Sequence, residues 1–357
     1  MTKIDRRGTP AYEENIRKNV GHIRTHTLSV YEKLWSTNMR ANLDSIESGG
    51  NILDLLEKDP AKRPTHALMI ANGPSVVNYK QLEEVAESEA YKSGKLTVVA
   101  CDAALKKCLN VGIIPNYITC IDGTEKTAEF FKDLPTDCYA NSINVFPVAS
   151  IAIHPSVRKL IEGNFTRGIR WFVPVWDDWT DPDKPSITRF VGYIAKKAFL
   201  DTIGNVGAFS YYFCGFLGAR HMGLMGLDYG YPAGTDIEED QYYKAYLDLV
   251  KQQNEQYEIA KKEMTQRNPE WEGQGRITIK DCYRLIRNPD TGKDILVGLN
   301  WDAYRVEFLN SLTAMYSMLT QKKIPFPRIE NRSPESSLFH PQMKTRSLTE
   351  FLTEAAQ

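Results

Sequence analysis

His66-Ala-Leu-Met-Ile-Ala-Asn-Gly-Pro-Ser-Val-Val77 is the stretch on which the reading of this chain turns. An apolar run of strand length (Ala67–Ala71) breaks at a Gly-Pro corner and restarts as a polar-headed helix over Tyr79–Tyr91. A buried strand feeding a tight turn and a helix start aims backbone N–H groups, and the positive end of the helix dipole, at one place. Such a place suits a phosphate. Asn72 and Ser75 add side-chain hydrogen bonds, Pro74 fixes the corner, and Gly73 lets a ligand approach the backbone closely. An ordinary strand-to-helix turn of an α/β domain has the same local signature, so the rest of the chain has to decide.

From Thr65 onward, short β-branched runs alternate with helical stretches. After the first come Leu96–Cys101, Tyr117–Ile121, Tyr139–Asn141, Ile169–Val173 and His221–Gly226. This alternation predicts an α/β, Rossmann-like fold: a mostly parallel sheet with helices on both faces and ligands beyond the carboxyl ends of the strands. Those ends are polar: Asn72-Gly73, Asp102-Ala103, Asp122-Gly123 and Leu227-Asp228-Tyr229. In a doubly wound sheet they converge, so three carboxylates and an asparagine face one cleft. A single Asp after a strand serves as well to cap the next helix, but the pattern occurs three times. Asp102 lies 29 residues beyond Gly73, further than the gap of about 20 to the ribose-binding acid of dinucleotide folds, and still suits a ribose hydroxyl. A second phosphate-suited turn, Ile203-Gly-Asn-Val-Gly207, opens the apolar helix Ala208–Leu217 with Asn205 as its cap. Asn331-Arg-Ser-Pro-Glu-Ser-Ser337 brings Ser333 and Ser336 to the same pocket. Trp176-Asp-Asp-Trp179, in a loop rich in Pro and Asp, reads as a lid, an acceptor contact or plain loop packing.

Around this unit the chain divides into three parts. Residues 1–64 form a helical N-terminal region, begun by the cap-and-proline start Thr9-Pro10 and running over Pro10–Leu55. Residues 65–235 form the nucleotide-binding domain, completed by 322–345 with a last strand at Pro327–Glu330. Residues 236–321 are a helical insertion or lid. It holds helices over Asp236–Gln266 and Ala303–Thr320, and a hairpin pairing Arg276–Ile279 with Asp294–Val297. Lys and Arg number 44 against 45 Asp and Glu, with no basic stripe, so no nucleic-acid partner is expected. The start of the chain lacks the apolar core of a signal peptide, and the apolar stretch Val206–Leu227 is broken by Gly215, Gly218, Arg220 and His221. No membrane span is expected, and the expected compartment is the cytoplasm. Six cysteines without C-x-x-C pairing read as reduced structural thiols. His22 and His26 have metal-ligand spacing but no third ligand, so they read as solvated helix surface, and no resident metal is expected. Phosphate-loop, nucleophile-elbow and zinc-helix motifs are absent.

Ile70-Ala-Asn-Gly-Pro-Ser-Val76, Ala100-Cys-Asp-Ala-Ala-Leu105 with Gly112-Ile-Ile-Pro-Asn116, Ile121-Asp-Gly123, and Gly204-Asn-Val-Gly207 followed by Leu217-Gly218 and Gly226-Leu-Asp-Tyr229 come in a familiar order. The chain resembles archaeal 6-hydroxymethylpterin diphosphokinase-like proteins and the motility accessory factor glycosyltransferases that modify flagellins. More distantly it is similar to sialyltransferases using CMP-activated sugars. The resemblance covers Thr65–Pro232 and Ile329–Leu338. It implies Asn72, Gly73 and Ser75 at phosphate or ribose, Asp102 and Asp122 beside the nucleoside, Asn205 at phosphate, and Ser333–Ser337 near the base. Two departures stand out. Cys120 occupies the place of a diphosphokinase aspartate, and the histidine-rich run that follows it there is missing. No histidine lies between His221 and His340, where a sialyltransferase base would sit.

The leading expectation is a transferase moving a sugar, such as a nonulosonic acid, from a nucleotide-activated donor to a glycan or protein hydroxyl. Asn72–Ser75 and Asn205–Gly207 would hold the leaving phosphate with a phenol from Tyr229 or Tyr231. Asp122 or Asp228 would accept the proton; packing serves equally well for Tyr229 and Tyr231. The nucleotide sugar is then a co-substrate. The alternatives are an ATP-dependent diphosphokinase with Mg2+ on Asp102, Asp122 and Asp228, and a nucleotide-binding protein without catalysis. Exposed helical ends leave room for an oligomer.

Overall fold

The buried strands explain why their sequences run apolar without alternation: in a sheet covered on both faces neither side chain direction meets water. The computed structural model describes residues 8–76, 80–135, 144–268 and 275–357, with the side chains of 19–31 outside the description. The sheet carries ten strands in parallel pairings: β1 (Gly50–Asn51), β6 (Arg170–Pro174), β5 (Phe146–Ser150), β4 (Tyr117–Cys120), β3 (Leu96–Cys101), β2 (His66–Ile70), β8 (His221–Met225), β12 (Arg328–Asn331) and β13 (Met343–Thr345) in spatial order, with β7 (Phe199–Leu200) beside β6. The chain walks outward from β2 to β6, then returns to lay β8 on the other side of β2. The strand order therefore reverses between β2 and β8, where an open α/β sheet parts its loops and leaves a crevice. The α/β, Rossmann-like architecture expected from the alternation is the one observed.

Helices cover both faces. On one lies α7 (Val206–Phe216), whose Phe209 stacks on Phe172 of β6 with ring centroids 4.4 Å apart. On the other lie α2 (Lys80–Glu87), α3 (Glu89–Lys92), α4 (Leu105–Asn110) and α10 (Leu348–Ala356). Leu82 and Val85, Ala90, Cys108, and Phe351 of these helices meet Leu68, Ile70 and Val98 of the sheet. Burying each such large side chain contributes about 1.5–3 kcal/mol over leaving it in water. Helices α5 (Pro155–Asn164) and α6 (Ile187–Ala195) close the β5–β6 side.

The 39-residue α1 (Pro10–Ser48) starts where the sequence places it, with Thr9 Oγ1 accepting the Tyr12 amide. It ends at Gly49, and residues 50–51 are an edge strand of the sheet rather than more helix. The segment 236–321 holds α8 (Tyr243–Arg267) and α9 (Leu299–Gln321). It also supplies β10 (Tyr283–Arg287) and β11 (Asp294–Gly298) to a second, antiparallel sheet completed by β9 (Tyr231–Pro232). The expected first hairpin strand, Arg276–Ile279, is displaced: Thr278 and Asp281 form a capping box, a helical turn occupies Ile279–Cys282, and pairing begins at Tyr283. The expected strand Tyr139–Asn141 lies outside the described residues, and β5 begins after it at Phe146. Cys101, Cys108, Cys120, Cys214 and Cys282 are free and buried, as packing thiols should be. No helix of the described chain is long and apolar enough to cross a membrane.

Candidate functional site

The loops leaving β2, β8 and β12 meet, as their motifs require, but they spend much of their polarity on one another. Ser75 follows Pro74 into a single helical turn (Pro74–Val76), and its amide donates to Asp228 Oδ2 at 2.8 Å while its hydroxyl reaches Oδ1 at 3.0 Å. The anion held by the Gly-Pro-Ser turn is thus the protein's own carboxylate. Burial raises the Asp228 carboxyl to about 6, against the pull of those two bonds. Ser333 Oγ lies 2.8 Å from Ser75 Oγ and accepts the Gly226 amide at 3.1 Å. Ser336 Oγ donates to Leu227 O, and Ser337 Oγ to Asp228 O. These serines, expected near the base, are fully buried stitches between loops. Gly73 is a glycine for the same reason: a Cβ there would sit 2.4 Å from Gly226 O and 2.5 Å from Asp228 Oδ2. The close approach it permits is loop to loop rather than loop to ligand. Asn72, one residue earlier, stays exposed.

Tyr231 is also spoken for. It sits on β9 in the small sheet, its hydroxyl 3.4 Å from Asp240, whose buried carboxyl also takes Tyr283 and Trp301. Its hydroxyl therefore points into that nest, away from the Asn72–Ser75 turn's own bonding with Asp228.

The other half of the rim is different. Asp102, at the end of β3, is buried, accepts the Ala103 amide at 2.7 Å and lies beside the Cys120 thiol. Burial, with the nearby charge of Asp122, pushes its carboxyl up to about 7. Asp122, at the end of β4, is exposed, and its oxygens bond only to the amide and hydroxyl of Thr124, two residues on. Gly123 is packed against Trp35: a Cβ would lie 2.7 Å from the indole Cδ1.

The start of α7 packs against the loops after β2 and β8. A Cβ on Gly207 would touch Leu227 of the β8 loop at 2.5 Å and stand 3.8 Å from the Ala71 Cβ. Asn205 caps α7, its Oδ1 accepting the Ala208 amide at 2.8 Å and the Tyr229 hydroxyl at 3.2 Å. Two donors on Oδ1 fix the amide's orientation, and Nδ2 is left buried with no partner among the described residues. Tyr229 is itself buried, at φ +47°, and burial keeps its phenol protonated. Burial lowers the pKa of the half-buried Lys107 on α4, against the nearby charges of Cys108 and Asp228.

Three contributors lie outside the sequence reading. Asn38 Nδ2 donates to Gly123 O and Ala152 O at 2.8 and 2.9 Å, and Asn42 Nδ2 to Ile153 O at 2.8 Å, so α1 holds the loops after β4 and β5. Trp35 stacks on Trp176 with ring centroids 5.4 Å apart, forming an aromatic wall beside Asp122. The spacing of Asn38 and Asn42, one turn apart on a helix, was the available signal.

Comparison with known proteins gives two findings. The family model described as 6-hydroxymethylpterin diphosphokinase MptE-like matches residues 37–234. Among solved structures, a Maf glycosyltransferase from Magnetospirillum magneticum AMB-1 is similar at 12% identity with a TM-score of 0.48, covering 96% of this chain. The chain spans about half the length of that protein, 49% of which is covered. No curated protein matches the chain.

Proposed function

The chain belongs to the 6-hydroxymethylpterin diphosphokinase MptE-like family, and on that footing we propose that it is a transferase moving a sugar from a nucleotide-activated donor to a hydroxyl acceptor. The observation that carries this reading is the buried, unpartnered Asn205 Nδ2 at the N-terminus of α7. An unpartnered N–H at a helix N-terminus suits an anion, and there the donor's phosphate would leave as its negative charge grows. Lys107 would add positive charge from α4. Asp102 would take a ribose hydroxyl, and the exposed Asp122 would accept the acceptor's proton. The Trp35–Trp176 wall would face the acceptor, since aromatic rings suit sugar faces. Asp228 has no part in the chemistry, because both its oxygens are held by Ser75.

The second reading, an ATP-dependent diphosphokinase, is favoured by the coupling of Asp102 to Asp122. These two carboxylates and the substrate's phosphates would have to hold Mg2+, a set that Mg2+ accepts. Thermal-shift titrations with CMP, CDP, UDP, GDP and ATP, with and without Mg2+, separate the two. A metal-independent cytidine nucleotide shift supports the sugar transferase, and a strictly Mg2+-dependent ATP shift supports the kinase. Asn205→Asp keeps the cap and the acceptor for Tyr229 but replaces the N–H with charge. It should weaken the winning nucleotide by about 10–100-fold, the worth of one hydrogen bond to a charged group. Unchanged affinity would remove α7 from the site.

A further inference from the structure

We propose that the opposite end of the sheet holds a Zn2+-type cation between His66, His221 and Glu354, clamping the C-terminal helix α10 onto the first residues of β2 and β8. His66 and His221 open these neighbouring strands and are register partners, so both imidazoles leave the same face of the sheet. Their ring centroids are 4.8 Å apart, and both lie edge-on to Phe351 of α10, one turn before Glu354. One ligand atom from each of the three lies within 4.8 Å of the others. A tetrahedral Zn2+ with bonds of about 2.0–2.2 Å spaces its ligand atoms roughly 3.4 Å apart. Rotating the imidazoles by about an ångström closes the set without moving the backbone.

His221 is already arranged as a ligand. Its Nδ1 stands 3.6 Å from Glu354 Oε1, long for a hydrogen bond and suitable for two donors on one ion. Its Nε2 stands 3.1 Å from Glu330 Oε2, a buried carboxylate held by Arg328, Arg332 and Arg346. A carboxylate behind the far nitrogen of an imidazole is the arrangement that orients a zinc-binding histidine. His66 Nε2 is also buried and makes no hydrogen bond among the described residues. Buried polar atoms in that condition call for a missing partner. Arg328 donates to both oxygens of Glu354 through one nitrogen, which leaves lone pairs on each for an ion. The two nitrogen ligands select a borderline cation such as Zn2+ and reject Mg2+ and Ca2+, which want oxygen.

The test is a titration of the metal-stripped chain with Zn2+, and with Co2+ for its visible bands. The expected result is saturable 1:1 binding, tetrahedral Co2+ bands and a rise in Tm, with no such effect from Mg2+ or Ca2+. Glu354→Gln changes a half-exposed helix position that tolerates it, and His66→Ala removes a strand-end ring. Each should weaken Zn2+ by at least tenfold, and Glu330→Gln should do so through His221. The proposal is overturned if Zn2+ leaves Tm unmoved, or if its affinity is the same in wild type, Glu354→Gln and His66→Ala. Glu354→Gln alone decides the question should His66→Ala fail to fold.

Discussion

Where β8 and β12 leave the sheet, Asp228 gives both oxygens to Ser75, and Ser333, Ser336 and Ser337 tie loop to loop. Where β3 and β4 leave it, Asp102 bonds the Ala103 amide and the Cys120 thiol and Asp122 bonds Thr124 of its own turn, while at the start of α7 Asn205 Nδ2 has no partner among the described residues. The two halves of one rim carry the same kind of sequence, a polar residue after an apolar run, yet one half is sealed and the other unspent. The difference lies in neighbours. The loops after β2, β8 and β12 lie side by side at the reversal of strand order, so each supplies partners to the next. The β3 and β4 loops lie away from that reversal, and the β4 loop is tied to α1 through Asn38 and Trp35. At the switch point itself, the polar groups of the Gly-Pro-Ser turn are taken up by Asp228.

Asp228→Ala tests the sealed half most severely. It strips the half-buried Ser75 amide of its acceptor and leaves the Ser75 hydroxyl only Ser333, and should cost about 2 kcal/mol in denaturant unfolding. A loss under about 1 kcal/mol would mean the seal is weak, and would return Asp228 to the candidate site. Asp102→Asn should act in the opposite sense. The folded carboxyl is raised to about 7, above an unfolded value of about 3.9. The folded state therefore binds more protons through this window, and stability falls as pH rises from about 4 to 7. Removing the charge should make the variant more stable than wild type at pH 8, by on the order of 2 kcal/mol. That gap should close on acidification toward pH 4. Parallel stability–pH curves for the two proteins would show that Asp102 is well solvated, and the contrast between the halves would vanish.

The parallel sheet was legible because β2, β3, β4, β6 and β8 are apolar runs of strand length bounded by turn residues. The convergence of Gly73, Asp228 and Ser333 followed from the same topology. What local reading could not supply was the partner. An N–H aimed at an anion looks identical in sequence whether the anion is a phosphate or an aspartate 153 positions away. Short edge strands such as Phe199–Leu200 and Tyr231–Pro232 were illegible for another reason: two residues carry no periodicity, and their pairing depends on distant chain. Trp35 belongs with them, since nothing in α1 announces that its ring will meet Gly123 and Trp176.

The smallest expected change in stability is the sharpest test of the unspent half. Asp122→Asn removes an exposed charge whose hydrogen bonds reach no further than Thr124, so unfolding free energy should move by less than about 0.5 kcal/mol. If this carboxylate takes the acceptor's proton, turnover of the nucleotide-activated donor should fall by about 10²–10⁴-fold with donor affinity nearly kept. Loss of donor affinity with turnover preserved would instead make Asp122 a binding group for the nucleoside. Loss of neither would leave the Trp35–Trp176 side of the rim without chemistry, and the division of the rim would then be one of packing alone.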